Sequence, residues 1–230
     1  MSFKTIILPI FFIISGFLPK DDVEKLFDDV EKKYSQMAYF SYTSTYNVYE
    51  ESNRSKSIEK TTGIFLKKNK VSYQKVETNE IIDFGDYTFI ADHENKLVSI
   101  SKKDQETQFI SLKSLLPLFK NRELIVKGDT KICVLKAGKF NQLPYDKVEI
   151  YIDNKTNELK KQLFYFSGKK EYKEKGKIVT VLHPVLEVAF SVRIKNDTKD
   201  NQLINKSNYF SITKNKIVLV NKYKNYKLIN

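Results

Sequence analysis

From Tyr39 onward, apolar and polar residues alternate with a period of two, in segment after segment. Successive side chains on a β-strand point to opposite faces, so such a segment is a strand with one greasy side. In "AYFSYTSTYNVYEE", residues 38–51, Phe40, Tyr42, Ser44, Tyr46 and Val48 fall on one side, and Ser41, Thr43, Thr45 and Asn47 on the other. "SIEKTTGIFLKKNKVSYQKVE" supplies a second and third strand around a turn at Lys68-Asn69-Lys70. "NEIIDFG" and "YTFIADHENKLVSISKK" give three more, with a hairpin turn from Asp92 to Lys96. "RELIVKG", "KICVLKAG", "YDKVEIYID", "ELKKQLFYF" and "PVLEVAFSVRIKND" continue the pattern, and residues 215–230 offer one or two further strands. Strands joined by short polar turns pair antiparallel. Ten or so strands do not stay flat, because their twist makes a sheet of that size curl or close.

Two segments depart from this period. Val23, Leu26, Phe27, Val30, Tyr34 and Met37 recur at steps of three and four, which is the stripe of an amphipathic helix. Asp21 or Asp22 suits its start, Lys32 and Lys33 suit its end, and Glu24, Asp28 and Glu31 form a polar face expected in solvent. In "TQFISLKSLLPLFKN", Phe109, Leu112, Leu116 and Phe119 suit a short helical excursion interrupted by Pro117. The predicted fold is mainly β within the α+β class. It is a strongly curved antiparallel sheet forming an incomplete barrel, its concave face lidded by the N-terminal helix and the short excursion.

The chain opens with Lys4, an apolar run from Ile6 to Leu18, and small residues at Ser15 and Gly16. A positive start, a short greasy centre and a small-residue exit are the parts of a secretory signal peptide, here residues 1–19. The run is short for a membrane span and is broken by Pro9. An uncleaved anchor is the alternative. Residues 20–230 then read as one domain, exported to the periplasm.

The formal net charge is +12, yet of 40 basic residues only Arg54, Arg122 and Arg193 are arginine. Nucleic-acid readers favour the flat, bidentate guanidinium, and these lysines are scattered along the chain. A solvated lysine coat is the expectation, with no nucleic acid as partner. Cys133 is the only cysteine, so no disulfide forms within the chain, and its apolar neighbours predict a buried thiol. His93 and His183 stand far apart without companion ligands, so no metal is expected. Asp83, Asp86 and Asp92 fall at predicted strand ends, where Asp makes turn hydrogen bonds. Nucleophile elbow, zinc-helix and phosphate-loop motifs are all missing. Neither catalytic residues nor a cofactor are expected, and the chain reads as a non-enzyme.

The order of features carries a resemblance. A leader and amphipathic helix precede an aromatic first strand, then "TTGIFLKKNKVSYQ", "DFGDYTFIADHENKLVSI" and "VEIYIDNKTNELKKQLFYF". This layout resembles the LolA-like periplasmic carriers of outer-membrane lipoproteins and their half-barrel relatives. The resemblance implies an incomplete barrel with a helix-lidded hollow that holds lipoprotein acyl chains. Gly63 matches the family's glycine opening the second strand, and Lys67 or Lys68 its basic residue before a turn. The family often has arginine and proline there, where this chain has Lys68 and Asn69. The ligand wall is expected from Phe40, Tyr42, Tyr46 and Val48 with Ile64, Leu66, Val71 and Tyr73, and the lid from Leu26, Phe27 and Val30. Such a wall suits lipid or lipoprotein acyl chains, since each buried methylene is worth about 0.8 kcal/mol. The expected molecule is a monomer with room for a membrane-protein partner in the envelope. The alternative is an exported scaffold or interaction module with a filled core.

Overall fold

The computed structural model describes residues 21–103, 113, 116–138, 143–174, 177–214 and 216–229. The expected leader, and Phe109 and Leu112 of the expected excursion, lie outside the described residues. None of the described helices is long and apolar enough to cross a membrane.

Helix α1 (Asp22–Gln36) begins where the Asp21 carboxylate accepts the Glu24 amide at 2.7 Å. That side chain satisfies one of the donors a helix start leaves unpaired. Next comes a meander of β1 (Tyr39–Glu50), β2 (Glu59–Lys68), β3 (Val71–Val76), β4 (Asn79–Asp83), β5 (Tyr87–Asp92) and β6 (Leu97–Lys102). A second meander contains β7 (Phe119–Lys127), β8 (Thr130–Ala137), β9 (Tyr145–Asp153) and β10 (Leu159–Phe166). The hairpin β11 (Lys170–Glu174) and β12 (Lys177–Val181) stands apart, and β13 (Pro184–Val192) returns to lie between β10 and β1. The chain ends with α2 (Asp197–Leu203), the hairpin β14 (Phe210–Thr213) and β15 (Lys216–Leu219), and β16 (Lys227–Ile229).

Twelve strands make one sheet in the order β16-β6-β5-β4-β3-β2-β1-β13-β10-β9-β8-β7. Every pairing is antiparallel except β16 with β6. The sheet curves without closing, because β16 and β7 lie at opposite ends of the order. The curved, mainly β, incomplete barrel expected from the sequence is the fold observed. Turns fall where expected: Asn69 and Lys96 take the positive φ values that tight hairpins require, 54° and 51°. The Asp83 and Asp92 carboxylates accept backbone amides of Gly85 and of Glu94 and Asn95.

The sheet is greasy on one face in one half and on the other face in the other. Residues opposed across a strand pair share a face, so the register traces each face through the sheet. Tyr42 opposes Phe65, Tyr46 opposes Val188, Val48 opposes Leu186, Phe164 opposes Val148, and Ile150 opposes Cys133. This face carries α1, whose Val23, Leu26, Phe27 and Val30 are buried against Val48, Cys133, Leu135, Ile150, Phe164 and Leu186. Leu116 and Phe119, from the expected excursion, join that cluster, although Leu116–Leu118 is a single 3-10 turn and Phe119 already begins β7. On the opposite face Leu66 opposes Tyr73, Tyr73 opposes Ile82, and Ile82 opposes Phe89. That face is covered by Tyr209, Phe210 and Tyr223 of the C-terminal segment.

The sequence reading put the α1 polar face in solvent, and the structure corrects this. Lys113 pairs with Asp28 at 2.6 Å and with Glu24 at 3.6 Å, and its amide donates to Glu31 at 3.4 Å.

Candidate functional site

The α1 face is only partly roofed. Beyond the C-terminal end of α1, Phe40 and Tyr42 of β1, Phe65 of β2 and Phe190 of β13 form a continuous aromatic strip of half-buried rings. Tyr42 and Phe65, opposed in register, stack at 5.0 Å, and Tyr42 meets Phe190 edge-on at 5.1 Å. Phe40 lies 5.4 Å from Phe65 and 5.1 Å from Tyr34, the last aromatic of α1. Offset and edge-on contacts at these separations are favourable in themselves, so the rings hold one another in place. Val192 opposes Tyr42 on β13 and is 80% exposed; Ile194, just past the strand, is 90% exposed.

The surroundings are mainly apolar, with one ammonium at the margin. Burial pushes the Tyr42 phenol well above its usual range, so it stays protonated. Burial also raises the Tyr46 phenol, opposed by hydrogen bonds with Ser44 and Gln74. Lys67 sits over the Phe40 ring at 5.7 Å, and burial lowers its ammonium below the usual lysine value. Rings, aliphatic carbons and a few hydroxyls can hold hydrocarbon.

Gly63 lets β1 and β2 approach beneath the strip. It opposes Ser44, and a Cβ there would lie 2.7 Å from the Ser44 hydroxyl, 2.9 Å from Val76 Cγ2 and 3.0 Å from the Lys75 carbonyl. The glycine singled out in the sequence thus has a packing reason at this position.

The helix is tied at both ends. Arg122 of β7 reaches Asp21 at 3.1 Å. At the other end Lys33 donates to the Thr156 carbonyl at 2.6 Å and pairs with Glu158 at 2.8 Å, while the Leu159 amide donates to the Tyr34 hydroxyl at 3.2 Å. These links between α1 and the β9–β10 turn border the aromatic strip.

The eight expected wall residues divide between the two faces. Phe40, Tyr42, Tyr46 and Val48 line the α1 face as a set. Ile64, Leu66, Val71 and Tyr73 point the other way and pack under the C-terminal cover, with Leu66 wholly buried. The three lid residues, Leu26, Phe27 and Val30, do face the sheet, and all are buried. Phe65 and Phe190 share the face of Phe40 and Tyr42 and were not among the expected wall residues, although both belong to strands recognised in the sequence. The signal that would have found them is register, which places each opposite the even-numbered set of β1.

No protein-family model and no curated protein matches the chain. Similar solved structures include an uncharacterized conserved protein from Thermus thermophilus, at 13% identity and a TM-score of 0.43, over 80% of this chain and 93% of that one. A LolA superfamily protein from Nitrosomonas europaea is similar at 11% identity and a TM-score of 0.27, over 74% and 95% of the two chains. A putative outer membrane lipoprotein-sorting protein domain from Vibrio parahaemolyticus is similar at 12% identity and a TM-score of 0.33, over 81% and 98%.

Two carboxylates fix the opposite face. Glu80 of β4 is wholly buried and takes the Tyr223 hydroxyl at 2.5 Å, His93 Nε2 at 2.7 Å and Lys222 at 3.2 Å. His93 Nδ1 meets the Tyr226 hydroxyl at 2.7 Å, so this histidine is not the bare loop residue its sequence position suggested. Asp200 of α2 accepts the Tyr39 hydroxyl at 2.8 Å and pairs with Arg193, whose Nε also reaches the Ser41 hydroxyl at 3.1 Å. Both sites staple the C-terminal segment to the sheet. Both acids are buried, Glu80 wholly and Asp200 to within 1%.

Proposed function

We propose that the protein is an exported, periplasmic carrier that holds lipid acyl chains, such as those of lipoproteins, along the aromatic strip of the α1 face. One observation carries the reading: the rings of Phe40, Tyr42, Phe65 and Phe190 run on from the buried core yet stay half-buried where α1 ends. Binding a chain there needs apolar area and little directed polar chemistry. Tyr46 and Val48 continue the wall beneath α1, and Leu26, Phe27 and Val30 act as its lid. Ile64, Leu66, Val71 and Tyr73 serve as the filled backing. The carrier works as a monomer without a cofactor or metal, and a membrane-protein partner in the envelope loads or unloads it.

The second reading is a non-catalytic envelope scaffold. Four α1 side chains already occupy the centre of the same face, and this favours it. The two readings part in a single experiment. Protein purified from cells is extracted with organic solvent for bound acyl species and titrated with a fluorescent fatty acid. The carrier yields acyl chains and saturable binding; a preparation that is dry and inert to the probe leaves the scaffold.

A further inference from the structure

Among the described residues, the segment leaving β13 carries the most exposed aliphatic side chains. Val192 and Ile194 stand 80% and 90% exposed at one end of the sheet, where the Arg193 amide still donates to the Ser41 carbonyl at 3.0 Å. That bond continues the β1–β13 register by one residue, so the segment is held extended at a fixed place. Lys195, over the Tyr39 ring at 5.5 Å, and Lys199 of α2 follow on the surface on the side of the C-terminal cover, while Lys67, over the Phe40 ring, ends β2 on the side of the strip. The neighbouring carboxylates are already engaged: Asp197 by Lys195 at 3.2 Å and Lys68 at 3.9 Å, and Asp200 by Arg193. The local balance stays positive around an aliphatic point.

We infer that this end of the sheet, with Val192 and Ile194 at its point, Lys67 on one side of it and Lys195 and Lys199 on the other, docks on an anionic lipid surface. Charge complementarity selects that occupant. Two aliphatic side chains alone give marginal, reversible membrane contact, and apolar insertion becomes stable only when a basic patch adds to it. Each lysine near an anionic leaflet contributes about 1 kcal/mol. The docked point sets the open end of the aromatic strip against the bilayer, because Val192 opposes Tyr42. Docking needs only the exposed point, so it stands or falls apart from acyl binding.

The test places an environment-sensitive maleimide dye at Ile194→Cys in the full chain, with Lys169→Cys labelled as the comparison. The native Cys133 is wholly buried and burial pushes its thiol up to about 12, so the dye reacts at the introduced site. Phosphatidylglycerol-containing vesicles are expected to shift emission to the blue at position 194 and not at 169, and high salt is expected to reverse the shift. The pair Lys195→Glu and Lys199→Glu is expected to raise the lipid needed for half the shift more than thirtyfold, because losing two such lysines alone accounts for about thirtyfold and the two new carboxylates add repulsion. Lys60→Glu with Lys169→Glu, at the other end of the sheet, is expected to change it far less. No shift at 194, equal shifts at both sites, or an equal response to pure phosphatidylcholine vesicles each overturns the inference. So does an equal loss from both lysine pairs. Fluorescent fatty-acid binding measured without vesicles, unchanged in Ile194→Asp, separates this outcome from failure of the carrier reading.

Discussion

Tyr39 and Phe40 are consecutive residues that touch different covers. The Tyr39 hydroxyl donates to Asp200 of α2 at 2.8 Å, whereas the Phe40 ring lies 5.1 Å from Tyr34 of α1. Strand β1 is therefore a wall with a tenant on each side: the helix at the start of the chain leans on one face, and the C-terminal segment on the other.

Removing rings from the strip tests its role directly. Phe40→Ala with Phe65→Ala is expected to weaken fluorescent fatty-acid binding at least tenfold, about 1.4 kcal/mol. Both rings are half-buried, so the far-ultraviolet circular dichroism of the pair is expected to match the parent. Unchanged affinity in a folded double variant argues for the scaffold.

The tie at the end of α1 should govern access. Lys33→Ala removes the bonds to Thr156 and Glu158; its side chain is 21% exposed and Glu158 is 42% exposed, so a stability cost of about 1 kcal/mol is expected. Stopped-flow mixing with the same fatty acid is expected to show faster association. An unchanged rate would mean that α1 does not gate the strip.

Gly63→Ala is expected to destabilise the protein by about 1–3 kcal/mol, as overpacking does. Adding Ser44→Ala removes only the 2.7 Å contact, leaving those to Val76 and the Lys75 carbonyl. Urea unfolding of the single and double variants is expected to show a partial rescue.

Glu80 makes stability depend on acid. Burial works to raise its carboxyl, but the Tyr223 hydrogen bond, the Lys222 charge and His93 outweigh that and hold it below its ordinary value of 4.5. A depressed folded value means the unfolded chain takes up the proton first as pH falls. The contribution is therefore complete above about pH 4.5 and is lost as pH drops through the folded value. Glu80→Gln is expected to flatten this part of the stability–pH curve from urea melts. Glu80→Ala is expected to cost about 3–5 kcal/mol at neutral pH, by leaving His93 and Tyr223 without their acceptor.

The strands and the first helix were legible because each announces itself locally. Alternation marks β1 to β6, positive-φ Asn69 and Lys96 mark two of their turns, and Asp21 opens α1. Which face each strand presents was not legible. The apolar set of β1 is even-numbered, and β2 offers two candidates to match it, Ile64 and Leu66 or Phe65. A shift of one residue exchanges them, and register decides for Phe65 opposite Tyr42. Helix α2 was missed because "DTKDNQL" has no apolar stripe; Asp200 anchors it through partners distant in sequence. Tyr209, Phe210 and Tyr223 likewise sit in a polar stretch without a period, and only docking on the sheet reveals them as core.

The two margins of the sheet differ in kind. At one, β16 lies alongside β6 for three residues; at the other, β7 runs its full nine-residue length beside β8 alone. Growth of a fibril by strand addition requires every subunit to join on both flanks. Among the described residues the β7 margin is the longer of the two, so strand-to-strand association of copies, where it occurs, is expected to start there.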